Sequence, residues 1–267
     1  MPINLSIDPL IAQVGPFQLG WHGIFSALAL VVGVWIGLRS AARLGLPLDP
    51  LVTGIAWAIA GGVVGARLFH VLDHLPHYAD NPLEAFAIWQ GGIAVYGGFV
   101  GGVLAGVVAA RALGLPVGPA LDAAGSGMLI GQAIGRVGCF INGDAWGGPT
   151  GGPWGVVYRD EDALLPPELL GVPTHPYPLY EIAGVAIVLG LVWLAVRRGS
   201  RPGTTFLLAA IGYAAVRFAL TFVRQEPIVA LGLQEAQLVA LFTGAAALAI
   251  LVARALSHRA QVAGRRL

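Results

Sequence analysis

The sequence predicts an all-α, polytopic membrane protein with seven transmembrane helices, the N-terminus outside, the C-terminus inside and a small extracytoplasmic head. Composition is the first ground. Hydrophobic residues make up 57% of the 267 and charged residues only 11%. Mean hydropathy is +0.77, which excludes an ordinary soluble domain. The second ground is the number of apolar windows long enough to cross a bilayer. They fall at about 20–38, 51–72, 91–110, 117–135, 179–196, 204–222 and 234–255. The third is charge asymmetry. With the N-terminus outside, ten of the fifteen basic residues fall on one side: Arg39, Arg43, Arg111, Arg197, Arg198, Arg201, Arg254, Arg259, Arg265 and Arg266. Basic excess marks the cytoplasmic side.

Each element follows from local signals. Turn sequences separate the windows: Leu-Gly-Leu-Pro at 44–47 and again at 113–116, then Arg-Arg-Gly-Ser-Arg-Pro-Gly at 197–203. Glycines recur four apart at Gly61/Gly65, Gly98/Gly102/Gly106 and Gly127/Gly131/Gly135, a spacing that lets helix backbones approach closely in lipid. The segment 142–178 is polar and rich in Gly and Pro, and is expected outside the membrane as the head of a single integral membrane domain spanning 1–267. Residues 1–18 lack the basic flank and short apolar core of a cleavable signal peptide, so none is expected. One cysteine excludes an internal disulfide framework, and the net charge of +1 argues against a nucleic-acid partner.

The remaining five arginines, Arg67, Arg136, Arg159, Arg217 and Arg224, carry more information, because four of them lie inside or at the end of a window. An unpaired guanidinium at a helix centre costs about 2.5–3.5 kcal/mol, so an anionic partner is expected. Tyr213, Arg217, Thr221 and Arg224 follow at steps of four, four and three on one stripe of the sixth window, and Arg136 closes the fourth on the same side. Converging guanidiniums make a phosphate clamp, since the planar fork matches phosphate oxygens. Structural ion pairing with Glu181 or Asp144 is the alternative. His175 and Tyr180 enter the fifth window from outside and read as loop and interfacial residues. His70, His74 and His77 share a helical spacing that raises a metal site, but Pro76 interrupts the helix and no HExxH pattern is present. Cys139 reads as a small packing residue.

Taken together, these residues resemble the prolipoprotein diacylglyceryl transferases of bacterial inner membranes. The segment Ile134-Gly-Arg-Val-Gly-Cys-Phe-Ile-Asn-Gly-Asp-Ala-Trp-Gly147 is similar to that family's signature in order and spacing. So are Gly91-Gly-Ile-Ala-Val-Tyr-Gly-Gly98, His175-Pro-Tyr-Pro-Leu-Tyr-Glu181, and Gly212-Tyr-Ala-Ala-Val-Arg217 followed by Arg224. Gly61-Gly-Val-Val-Gly-Ala-Arg-Leu68 and Ile11-Ala-Gln-Val-Gly-Pro-Phe17 agree as well.

The resemblance implies a transferase in the bacterial cytoplasmic (inner) membrane, its active site toward the extracytoplasmic side. Its partners would be phosphatidylglycerol and the lipobox cysteine that follows a prolipoprotein signal peptide. The diacylglyceryl group would pass to the thiol, leaving a thioether and releasing glycerol phosphate, with no metal or organic cofactor. The implied catalytic residues are Arg136, Arg217, Tyr96 and Tyr213. Those implied for phosphatidylglycerol binding are Arg136, Arg217, Asn142, Asp144, Gly147 and Arg224, with His22, His175, Tyr180 and Glu181 in support. Four positions depart from the frequent pattern: Tyr96 replaces a His, Cys139 an Asn, Asp144 a Glu and Thr221 a Glu. His22 stands where a Tyr is commoner. The competing functions are an anionic-lipid transporter or scramblase, which should show paired halves or broken helices, and an intramembrane metallohydrolase built on His70, His74 and His77.

Overall fold

The structure is a computed structural model that describes the backbone of residues 2–15, 17–88, 91–92 and 94–264, with side chains for these except 14, 17 and 259–264. Arg265 and Arg266 of the expected basic tail, and Pro16 and Ile93 of the motifs, lie outside the described residues.

Long apolar runs become helices because the helix satisfies every backbone polar group internally. The helices are α1 (Trp21–Arg43), α2 (Leu48–Asp73), the short α3 (Leu75–Asp80), α4 (Val95–Ala112), α5 (Val117–Asn142), α6 (Tyr177–Arg197), α7 (Thr204–Thr221) and α8 (Glu235–Gly264). Six of them, α1, α2, α4, α6, α7 and α8, are long and apolar enough to cross a membrane. The remaining window, 117–135, is the 26-residue helix α5, which stands outside that group; Asp122, Gln132, Arg136 and its glycines dilute its apolar character. Several helices overrun their windows. Apolarity marks the hydrocarbon, whereas the helix continues through the polar boundary, as α1 does to Arg43 and α5 to Asn142.

The repeated Leu-Gly-Leu-Pro turns close two helices identically. Gly45 and Gly114 adopt φ +71° and +68°. Leu46 N then donates to Ala41 O at 3.0 Å and Leu115 N to Ala110 O at 2.8 Å, the closure that a left-handed glycine permits. The all-α expectation needs one correction. Short strands β1 (Ile3–Leu5), β2 (Leu10–Val14), β3 (Phe17–Gly20), β4 (Val156–Tyr158), β5 (Ile228–Ala230) and β6 (Leu233–Gln234) form three two-stranded pairs. They lie in polar or interfacial sequence, where no hydrophobic period announces them.

The chain packs as two compact units, 1–37 with 125–267, and 38–124. In the second, α2 and α4 meet backbone to backbone. A methyl group at Gly65 would lie 2.4 Å from Gly97 O, and one at Gly97 would lie 2.3 Å from Gly65 O. The tightest stripe of α4 is therefore Gly97/Gly101, one residue from the expected Gly98/Gly102/Gly106, whose members pack more loosely on the same neighbour. This unit also explains Arg67. Its guanidinium donates to four carbonyls, Ala85 O (2.8 Å), Glu84 O (2.5 Å), Gly91 O (2.7 Å) and Gly92 O (2.8 Å), and lies over the Tyr78 ring. A charge within a span is here a structural fastener.

In the first unit, Leu129 on α5, Val185, Val188 and Val192 on α6 and Ala209 on α7 form one core. The segment 142–178 gathers its own: Val156, Tyr158, Leu165 and Leu169, with Leu5, Phe140 and Trp146 against them. Strand β1 pairs in parallel with β4, and Tyr158 OH donates to Phe140 O at 2.8 Å. Burial, together with the nearby Asp144 charge, pushes the Tyr158 phenol above its ordinary value, so it remains a donor.

Replacing Gly65 or Gly97 by Val should overpack the α2–α4 contact and cost about 1–3 kcal/mol or more. Gly190→Ala, where nothing lies within 4 Å, should leave stability unchanged or slightly raised. Thermal unfolding of the detergent-solubilised variants measures both.

Candidate functional site

Three pairs of residues four apart, on three helices of the first unit, build one network around a buried carboxylate that is itself one of the six. Such spacing puts both members of a pair on one helix face. Gln132 and Arg136 come from α5, Tyr177 and Glu181 from the start of α6, and Tyr213 and Arg217 from α7. Pro176 and Pro178 flank Tyr177 and fix where α6 begins; the missing N–H costs nothing at a helix start.

Glu181 is the centre. Its side chain is 0% exposed. Oε2 lies 2.9 Å from Arg136 Nε and 3.1 Å from Arg217 Nη1. The contact to Arg136 is an ion pair without the alignment of a hydrogen bond, whereas Arg217 Nη1 donates. Oε1 accepts from the Tyr213 hydroxyl at 2.6 Å and from Gln132 Nε2 at 3.1 Å. Gln132 also donates to Tyr213 OH at 2.9 Å, and Arg217 Nη1 to Tyr177 OH at 2.6 Å. The Tyr177 ring sits among three guanidinium carbons: Arg136 at 6.0 Å, Arg217 at 5.6 Å and Arg224 at 5.1 Å. Two cations thus share one buried anion.

Arg136 joins this network to a second group. Its Nη1 lies 3.6 Å from Cys139 Sγ, which lies 3.7 Å from His22 Nδ1, and His22 Nδ1 is 3.0 Å from Asp144 Oδ2. Gly138 makes this possible, since a methyl there would press within 3.1 Å of His22 Cα and 2.9 Å of Phe25 Cβ.

Several sequence expectations meet corrections here. Helix α7 ends at Thr221, so Arg224 lies beyond it rather than on its stripe. Arg224 still reaches the Tyr177 ring, but its Nη2 pairs with Glu226 at 2.6 Å. Asp144 pairs with His22, not with an arginine. Thr221 turns its hydroxyl back onto Arg217 O at 2.6 Å. Cys139 packs in a small buried cluster with Ala145 and Tyr177, as expected, and its Sγ also lies near Arg136 Nη1 and His22 Nδ1. Asn142 is buried at the end of α5, where its Oδ1 has no hydrogen-bond partner among the described residues. Gly147 donates to His175 O at 3.2 Å, and a methyl there would stand 2.7 Å from His175 Cβ. His175 Nδ1 and Tyr180 OH pair at 3.1 Å.

Tyr96 is the second residue of α4, in the other unit. His70, His74 and His77 belong to that unit too. Among the described residues their nitrogens do not gather as a ligand set: His74 Nδ1 engages His70 O, and His77 Nε2 lies 2.9 Å from Glu84 Oε2. Gln132 and Tyr177 went unread in the sequence, although each stands four residues before a charged residue already singled out.

The sequence profile of a family described as prolipoprotein diacylglyceryl transferase matches residues 9–253. A Geobacter sulfurreducens protein named phosphatidylglycerol–prolipoprotein diacylglyceryl transferase is 37% identical over 233 residues, 85% of each chain. A protein of the same name from Staphylococcus haemolyticus is 32% identical over 263 residues, 97% of this chain and 93% of its own. Another, from Gloeobacter violaceus, is 34% identical over 240 residues, 88% of each chain.

Removing the charge of Glu181 by Glu181→Gln should destabilise the protein by about 3–5 kcal/mol, because two guanidiniums then lack their shared anion. Tyr213→Phe should cost less, about 1–3 kcal/mol, since Gln132 still serves Oε1. Thermal unfolding in detergent ranks the two variants, and a reversed order contradicts the arrangement.

Proposed function

The chain belongs to the prolipoprotein diacylglyceryl transferase family, and on that premise we propose that Arg136 and Arg217 hold the phosphate of phosphatidylglycerol while a prolipoprotein cysteine displaces it. The observation that carries this reading is the shared carboxylate. Two guanidiniums converge on that one buried carboxylate, which holds both forks side by side in the arrangement a phosphate group matches.

The sulfur of the lipobox cysteine attacks the glycerol carbon that bears the phosphate ester. A carbon–sulfur bond forms, the carbon–oxygen bond breaks, and glycerol phosphate departs with the electron pair. Charge builds on the leaving oxygens, so Arg136 and Arg217 stabilise the transition state more than the ground state. Glu181 keeps both forks oriented, and a preoriented donor needs no rearrangement as charge develops. Tyr213 acts as a brace, its hydroxyl committed to Glu181 and Gln132. The thiol proton passes to water.

Asn142, Asp144, Gly147 and Arg224 border the polar end of the same site and take the glycerol headgroup, with His22, His175 and Tyr180 behind them. The protein sits in the bacterial inner membrane with α5 as a seventh span, the N-terminus outside and the site toward the extracytoplasmic face. The arginine asymmetry supports this orientation, as does the scarcity of basic residues in 142–178, where Arg159 stands alone. Both substrates are lipid-anchored, so they enter sideways from the bilayer.

Purified enzyme incubated with phosphatidylglycerol and a lipobox peptide should add one diacylglyceryl mass to the peptide cysteine, read by mass spectrometry. Arg136→Ala and Arg217→Ala should each lower the rate at least about 100-fold, the scale of one lost transition-state donor. Both variants should still insert into membranes. Near-normal turnover by Arg217→Ala overturns the clamp.

A further inference from the structure

The ends of α6, α7 and α8 remote from Glu181 carry arginines that the clamp does not use. From Glu181, helix α6 continues to Arg197, about 24 Å further at the helical rise. Arg197 there lies over the Trp193 ring at 4.2 Å, a pairing suited to the level where hydrocarbon meets headgroups. Beyond it, the turn between α6 and α7 and the last turns of α8 frame a pocket of about 570 Å³. Ser200, Arg201 and Thr204 line it from the turn and the start of α7, and Arg254 and His258 line it from α8.

The two arginines of the pocket are anchored from opposite sides. Arg254, on α8, donates to Pro202 O in the turn, and Arg201, in the turn, donates to His258 Nδ1 on α8 at 2.8 Å. Arg254 and His258 stand four residues apart, so one face of α8 supplies both contacts. Gly203 makes the seat: its φ is +83°, and a methyl on it would lie 2.4 Å from Arg254 Nη1. Each guanidinium spends one donor on its anchor and keeps the rest of its fork. The sequence has no Asp or Glu between Glu181 and Glu226, nor from Ala236 to Leu267. Among the described residues no carboxylate pairs with Arg201 or Arg254. Two anchored forks at a membrane boundary are then matched by an oxyanion from outside the chain, and their planar geometry suits phosphate.

We propose that Arg201 and Arg254 bind one phosphate group at the end of the bundle remote from the clamp, and that this group belongs to an anionic phospholipid of the leaflet there. Helices α6, α7 and α8 are long and apolar enough to cross a membrane, so the pocket opens at headgroup level, where lipid phosphates are concentrated. The phosphate lies between the two forks, with the hydroxyls of Ser200 and Thr204 on the same wall of the pocket. Bound there, it ties the α6–α7 turn to α8 and so steadies the two helices that carry Glu181 and Arg217. The site does not rest on the transferase reading, because a lipid here is held and not consumed.

Native mass spectrometry of the full-length protein, stripped of lipid in a neutral detergent and titrated with phosphatidylserine, tests this. The wild-type chain should hold one phosphatidylserine more than R201Q/R254Q, in which affinity for that lipid should fall about 10-fold or more. Arg201→Gln alone leaves the Arg254–Pro202 contact intact and should lose the same lipid, which keeps the test in force where the double variant fails to fold. Arg217→Ala should retain it. Equal phosphatidylserine counts in the wild type and in both Gln variants overturn the site, and so does loss of this lipid in Arg217→Ala, which places it in the clamp. Phosphatidylcholine should bind all forms alike; a count that drops in the Gln variants overturns the preference for an anionic lipid. Inorganic phosphate in large excess should leave the bound lipid in place. Displacement upholds the phosphate site and overturns the lipid as its source.

Discussion

A carboxylate with no exposed surface cannot stay ionised in an apolar bundle unless cations and donors surround it, and Glu181 is surrounded on every side. Two guanidiniums, a phenol and a side-chain amide from two other helices, α5 and α7, converge on its two oxygens. The dependence runs in both directions. Arg136 and Arg217 tolerate their own burial because half a negative charge stands beside each. Two cations sharing one anion fix the relative placement of α5, α6 and α7 around it.

Arg67 shows the contrast. It is buried more fully than the other two; four backbone carbonyls take its donors, and among the described residues no carboxylate pairs with it. A guanidinium within a span is thus compensated either by fixed dipoles, as at Arg67, or by a shared buried carboxylate, as at Arg136 and Arg217. The sequence marks all three positions alike. Only the partners separate them.

Much of the architecture was legible beforehand. Apolar runs, Leu-Gly-Leu-Pro turns and small residues at helical spacing are local signals, and they placed all seven windows on helices and the glycine contacts on α2 and α4. The β1–β4 pair was not, because Ile3–Leu5 and Val156–Tyr158 stand some 150 residues apart and neither run alternates for long enough to read. The window 204–222 placed the end of α7 within one residue, but the stripe was carried on to Arg224, beyond that end. A heptad-like step to Arg224 continues in the letters although the helix has stopped.

Sequence alone determined the membrane class, the positions of the apolar helices and the candidates Arg136, Arg217, Tyr213 and Glu181, since burial cost and helical period act through neighbours along the chain. Tertiary structure decided who pairs with whom. Glu181 rather than Asp144 faces the arginines, Asp144 turns to His22, and Cys139 closes a three-donor cluster beside Arg136. Those choices depend on how α1, α5, α6 and α7 approach one another. Close approach at Gly138 and at Gly127, where a methyl would lie 2.2 Å from Gly33 O, is a property of surfaces in contact, which no periodicity along one helix encodes.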